Sequence, residues 1–318
     1  MTRVARDWDR FWFAPRTTRV LSLYRIGLGL VVLIDAARRA PWLDMLYSDL
    51  GLVTIETLTD HLGRTPSTLL AIDASPVTVR FLFVAWVVSA ACFTIGLATR
   101  ASSIAVFLLS ASFLARNPLV VNSGGGGVVS MLFLFLFAPA DQAYAVDRWR
   151  RARRSGGEAP EPAAHAPWAQ RAMQCQIALL WLMAGYHKAH GTLWYTGSAM
   201  YYVFGQVDFT VRGVEALMNY PLVYTSLTLA TVLVELAIPF LLWFRPARPY
   251  AAAMAIGVQG WILLCMTLPV FPLFTMFSTI LFFEEDEVAC AGADLELDTR
   301  ASSTRPRREA IVQAGLRT

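Results

Sequence analysis

Lysine is nearly absent from this chain: Lys188 is the only one, against 26 arginines. Charge of any kind is scarce. Asp, Glu, Lys and Arg make up 16% of the 318 residues, and 56% are hydrophobic, with a mean hydropathy of +0.48. Soluble domains carry about a quarter charged residues, so this composition predicts an integral membrane protein. Cysteine is sparse too. Cys92, Cys175, Cys265 and Cys290 form no CxxC and three lie in apolar runs, which excludes a disulfide framework and a zinc ribbon. The opening MTRVARDWDRFWFAPRTTR has no apolar stretch with a small-residue cleavage site, so no signal peptide is predicted. A net charge of +4 does not imply nucleic acid, because the arginines fall in short segments between apolar runs, as membrane orientation requires.

What is present is a series of apolar runs, most of them near the span length of about 20 residues, with 128–138 and 270–283 shorter. They are 20–37, 77–97, 102–121, 128–138, 168–186, 222–244, 250–268 and 270–283. The pattern predicts an all-α, polytopic bundle of about eight transmembrane helices over residues 20–283. Residues 1–19 mix Trp8, Phe11, Trp12 and Phe13 with arginines and read as an interfacial segment. Residues 41–75 read as a non-cytoplasmic loop with one or two short surface helices. The run Gly124–Gly127 predicts a turn outside the membrane, since consecutive glycines disfavour helix. It lacks the Lys and Ser/Thr that a phosphate loop needs. Residues 141–167, with five arginines and GGEAPEP, predict a flexible basic cytoplasmic linker, and 284–318 a polar, disordered tail. With both termini cytoplasmic, 18 basic residues fall inside and seven outside, the bias expected of an even number of spans.

A charge near the bilayer centre costs at least about 2.5–3.5 kcal/mol, so each asks for a partner or a task. Arg25 and Glu235 lie within spans and predict a mutual ion pair or separate helix contacts. Asp35 and Arg116 lie near span ends, where they reach water. Lys188 ends an apolar run between His187 and His190. The plain reading is a lysine reaching for the interface. The chemical reading is a base, because an amine against an apolar wall loses solvation of its charged form. His187 and His190 have a permitted i,i+3 metal spacing, but no carboxylate or cysteine lies nearby in sequence, and no metal is expected.

The segment AGYHKAHGTLWYTGSAM resembles the AG-x-x-K-x-x-x-x-x-W-x-x-G signature of the HTTM family. Other motifs agree in order: WDRFWFAPRTTRVLSLYRIGLG, YSDLGL, RNPLVVNSGGGG and LVELAIPF, the last matching E-x-x-x-P. The resemblance covers roughly residues 8–283. It implies the membrane fold shared by vitamin K-dependent gamma-glutamyl carboxylase and many bacterial proteins. By resemblance Lys188 is the base that deprotonates reduced vitamin K or another quinone. Tyr186, His187, His190, Trp194, Tyr201 and Tyr202 would line its pocket, and Arg25 and Glu235 would hold the helices around it. Gln259 stands near the place where many members carry a histidine. The resemblance also implies an alternative: an SdpB-like accessory protein that matures or exports a small secreted peptide.

Overall fold

The computed structural model describes residues 2–16, 19–155 and 164–284. Among these the chain is helical, with no strand beyond two isolated bridges. The order is α1 (Arg3–Phe13), α2 (Arg19–Arg39), α3 (Leu43–Tyr47), α4 (Ile55–Leu62), α5 (Pro76–Ile95), α6 (Thr99–Arg116) and α7 (Ser123–Phe135). Then follow α8 (Val146–Arg154), α9 (Trp168–His190), α10 (Thr192–Tyr195), α11 (Ala199–Phe204), α12 (Pro221–Leu241), α13 (Arg248–Cys265) and α14 (Val270–Ser278). Eight of these, α2, α5, α6, α7, α9, α12, α13 and α14, coincide with the eight apolar runs. Three segments are long and apolar enough to cross a membrane by length and composition: Arg19–Tyr47, which is α2 with the short helices after it, then α5 and α12.

Packing separates these three. In the most apolar window of the first segment 61% of residues are buried, against 22% for α5 and 17% for α12. So α2 is the central helix, while α5 and α12 turn most of their apolar surface outward, the pattern for helices solvated by lipid. α2 packs between α5 and α14, α6 covers α5, and α7 bridges α6 and α14; on the other side α13 joins α14 to α12, and α12 lies along α9.

The glycine run is a correction to the sequence reading. Gly124–Gly127 form the first turns of α7, not a turn outside it. Asn122 caps that helix, its side-chain oxygen accepting from the Gly125 N–H at 2.9 Å. The glycines are there for packing. A Cβ on Gly124 would come within 2.9 Å of the Phe271 backbone, and one on Gly127 within 2.6 Å of the Phe274 ring. Spaced i,i+3 on one face, they let α7 press onto α14, and this contact outweighs their poor helix propensity.

The basic linker is also corrected in part. Its first half is the helix α8, docked rather than free. Asp147 on α8 accepts from the backbone N–H groups of Ala98 and Thr99 at 2.9 and 2.7 Å, and from the Thr99 hydroxyl. It thereby caps the start of α6. Burial works against the charged carboxylate, but these hydrogen bonds and the nearby Arg151 hold it below the usual carboxylate range. Residues 156–163, with all of GGEAPEP, and the tail from 285 on lie outside the described residues. The interfacial segment is α1, with Phe11 against Trp243 and the Arg171 guanidinium 4.5 Å over the Phe11 ring.

Candidate functional site

The site begins at a close helix crossing. Gly185 on α9 has no side chain to separate it from α12; a Cβ there would lie 2.9 Å from the Leu236 side chain. One turn beyond Gly185 stands Lys188, and next to Leu236 stands Glu235. The crossing brings them together, and the Lys188 ammonium donates to Glu235 Oε1. Glu235 is 4% exposed and Lys188 25% by side chain. Pro239, four residues after Glu235 in α12, has no N–H to give to the Glu235 carbonyl, so the helix lacks that hydrogen bond beside the pair.

This decides one sequence expectation for separate contacts and overturns another. Glu235 is not paired with Arg25. Lys188 is not alone against hydrocarbon, because a carboxylate faces it. The second carboxylate oxygen, Glu235 Oε2, is buried without a hydrogen-bond partner among the described residues. Buried acceptors are normally satisfied, so this oxygen has room for one more hydrogen bond.

Lys188 opens onto a cavity of about 460 Å³. Its walls are one stripe of α12 (Leu227, Ala230, Thr231, Val234) and one of α13 (Gly257, Val258, Trp261, Ile262, Cys265). Trp194, Met200, Val203 and Phe204 close it from α10 and α11, with Thr210 and Met266 beside them. The lining is almost wholly apolar, with one cation. Lys188 Nζ lies 5.0 Å from the centre of the Trp194 ring, within cation–π range. The volume falls in the range of small-molecule sites.

The structure places the predicted site residues in three groups. Lys188 and Trp194 line the cavity. Tyr186, His187, His190, Tyr201 and Tyr202 do not; all five are exposed. Tyr186, His187 and His190 cluster together on the outer side of the α9 end, the His190 ring 4.3 Å from that of Tyr186 and its Nδ1 facing the Tyr186 carbonyl. The phase of α9 explains this, since residues one or two positions from Lys188 point about 100° or 200° away from it. Tyr201 and Tyr202 pack edge to face on α11, away from the lining residues Met200, Val203 and Phe204. Gln259 is buried, with its side-chain oxygen unpartnered, and is not part of the lining. Among the described residues no three His, Cys, Asp or Glu side chains come together as metal ligands.

Arg25 serves elsewhere. It is fully buried and donates from Nη1 to the Ala140 carbonyl and from Nη2 to the Tyr144 carbonyl, each at 2.6 Å. It ties α2 to the segment before α8. Arg116 does not reach water, contrary to expectation, whereas the Asp35 side chain stays 16% exposed. Arg116 is 0% exposed and donates through Nη2 to the Val53 carbonyl at 2.8 Å and to Asp49 at 3.1 Å. Its neighbour Asn117 donates to the Leu46 carbonyl at 2.7 Å. Asp35 pairs with Arg39, which also donates to the Tyr47 hydroxyl. The motifs Tyr47-Ser48-Asp49 and Arg116-Asn117-Pro118 therefore meet each other in a scaffold knot, away from the cavity. The cavity residues Thr231, Val258 and Trp261 carried no signal in the sequence, because an apolar stripe facing a cavity reads like one facing lipid.

No curated protein and no solved structure matches the chain. The family model of the HTTM domain matches residues 13–286, a stretch that holds the Lys188–Glu235 pair, the cavity and the scaffold knot. The chain therefore belongs to the membrane-associated HTTM domain family.

Proposed function

We propose that this protein is a multi-pass membrane enzyme that moves a proton at the polar head of a lipid-borne substrate. The observation that carries this reading is an ion pair, Lys188–Glu235, at the wall of an apolar cavity of about 460 Å³. An ion pair made only to tie two helices needs no space beside it. Here the amine faces room for a ligand, and one carboxylate oxygen is unclaimed.

The pair suits proton handling in a greasy site. Ammonium with carboxylate, and amine with carboxylic acid, carry the same net charge. A proton can pass between Lys188 and Glu235 without leaving net charge in hydrocarbon. In the amine form, with the pair's own proton on Glu235, Lys188 accepts a proton from a hydroxyl within reach, and the new ammonium is balanced by the oxyanion left on the substrate. Trp194 faces the same nitrogen and limits its positions. The cavity fits a flat apolar ring bearing a hydroxyl, so a reduced quinone such as reduced vitamin K is compatible; when bound it would supply the acidic O–H. We propose eight spans with both termini cytoplasmic. Eight helices on eight apolar runs support this, as does the excess of 18 basic residues over seven on the inner side.

The test is to purify the protein in mild detergent and identify bound lipids and quinones by mass spectrometry, for wild type and Lys188→Met. A species bound to wild type and lost from the variant is expected. No bound species in either, with both folded, rejects the enzyme reading. It leaves the accessory role in maturing a small secreted peptide.

A further inference from the structure

Helix α8 has two faces, and the bundle uses one of them. The Asp147 carboxylate receives the Ala98 and Thr99 N–H groups, and the Asp147 N–H donates to the Gly96 carbonyl at 3.0 Å. Arg148 donates to the Gln142 carbonyl at 2.7 Å. Arg151 donates to the Asp141 carboxylate at 2.8 Å and to its carbonyl at 2.7 Å. Helical phase puts positions 147, 148 and 151 on one arc of about 100°. That arc is the docking face.

Trp149, Arg150 and Arg153 fall on a second arc, of about the same width, on the opposite side, with Arg154 at its edge. All four are exposed, Trp149 by 54%. The Arg153 guanidinium lies over the Trp149 ring, 3.9 Å from its centre. Among the described residues none of Arg150, Arg153 and Arg154 has a carboxylate partner. The one acid of α8, Asp147, is taken up on the docking face. The outward face therefore carries three cations and an indole, and no acid.

The docking contacts fix where this face stands. Gly96, Ala98 and Thr99 form the turn from α5 into α6, and α5 is long and apolar enough to cross a membrane. The end of such a span lies at the level of the lipid headgroups. Asp141 and Gln142 belong to the segment that Arg25 ties to α2. Contacts to two apolar helices thus hold α8 beside the bilayer surface.

We infer that the outward face of α8 is a docking surface for anionic lipid headgroups, with Arg150, Arg153 and Arg154 on lipid phosphates and the Trp149 ring among the headgroups. The chemistry agrees at each residue. Guanidinium forks match phosphate oxygens two at a time. Indole rings settle at headgroup level. A cluster of arginines beside a span is drawn to an anionic leaflet. An acidic protein would satisfy the charge, but the leaflet is the anion nearest to a helix mounted on the turn between two apolar helices. The inference is independent of the chemistry proposed at Lys188.

The experiment places the full chain in nanodiscs of phosphatidylcholine holding equal fractions of brominated lipid, either phosphatidylglycerol or phosphatidylcholine. Bromine quenches a nearby indole, and the difference between wild type and Trp149→Phe isolates the Trp149 signal. In wild type the anionic lipid should be enriched at Trp149 by about fivefold or more, the factor that one arginine supplies near an anionic surface. Arg150→Gln, Arg153→Gln and Arg154→Gln together should bring the two lipids to within about twofold of each other. Three charges removed from α1 instead, by Arg3→Gln, Arg6→Gln and Arg10→Gln, should leave the enrichment within about twofold of wild type. Thermal unfolding checks that each variant is folded. Equal quenching by the two lipids in wild type, no quenching of Trp149 by either, or an equal loss in the α1 variant overturns the inference. Release of the enrichment by millimolar glycerol phosphate overturns it in favour of a soluble phosphate. A glutamate-rich peptide that binds this face of a wild type showing no lipid preference overturns it in favour of a protein partner.

Discussion

Buried charge appears twice in this molecule, to opposite effect. On the α2–α6 side, Arg25 and Arg116 are fully enclosed, and each is held by two or more oxygens, mostly backbone carbonyls. Arg25 Nε and Arg116 Nε and Nη1 are also without a hydrogen-bond partner among the described residues, but neither guanidinium lines the cavity. On the α9–α13 side, Lys188 has one carboxylate partner, that partner has an oxygen to spare, and both border a cavity. The difference separates structure from chemistry. A guanidinium has five donors in a rigid fork and suits a multiple anchor, whereas an ammonium on a flexible stem can release a proton. On the proposed reading the lone lysine of the chain stands where a proton is moved, and the buried arginines stand where the charge is permanent.

The sharpest test of that division is stability against binding. Arg116→Met leaves the Ser48 and Val53 carbonyls and the half-exposed Asp49 without their buried partner and should cost about 1–3 kcal/mol. Thermal unfolding in detergent would read this, and Arg116→Lys should rescue little of it, because one ammonium cannot span all of these acceptors. A loss below about 1 kcal/mol would remove the scaffold role.

The Lys188–Glu235 pair should behave in the reverse way. Lys188→Met and Glu235→Gln singly should each destabilise the fold, and the double variant should recover most of that loss. The coupling should be roughly 0.5–3 kcal/mol, since the two side chains touch. Ligand binding should not recover in the double variant. If binding returns along with stability, the pair is a helix tie and nothing more.

The smallest effect is expected at α8. The native carboxylate of Asp147 is held below the ordinary range, so its contribution is present above the unfolded value of about 3.9. It disappears as the pH falls through the lower, folded value. Asp147→Asn should cost about 1 kcal/mol at neutral pH, as loss of a helix cap does. Stability of the variant should also fall less steeply than that of wild type on acidification. Parallel acid curves for both proteins would show that Asp147 does not couple α8 to α6.

The positions of the helices were legible because apolar runs stand out one at a time against the polar segments between them. Each of the eight runs became a helix close to its expected bounds. Lys188 was legible as well, since a cation at the end of an apolar run stands out against its neighbours. Its partner was not. Arg25 and Glu235 are both intramembrane charges of opposite sign, and sequence offers no distance between them. The choice fell to Gly185, whose missing side chain brings α9 against Leu236 and so puts Glu235 in reach of Lys188. The pocket expectation around Tyr186, His187 and His190 failed because neighbours along a helix are not neighbours around it.

By itself the sequence determined the helical class, the helix segments, the family and the one amine with a claim to chemistry, because composition and motif order act locally. Only the tertiary structure decided which charges meet, that the glycine run is a packing face, and that α12 and α13 line a cavity beside Lys188. Those outcomes depend on how closely pairs of helices approach, and approach is set by side-chain shape across the bundle, which no single stretch of chain contains.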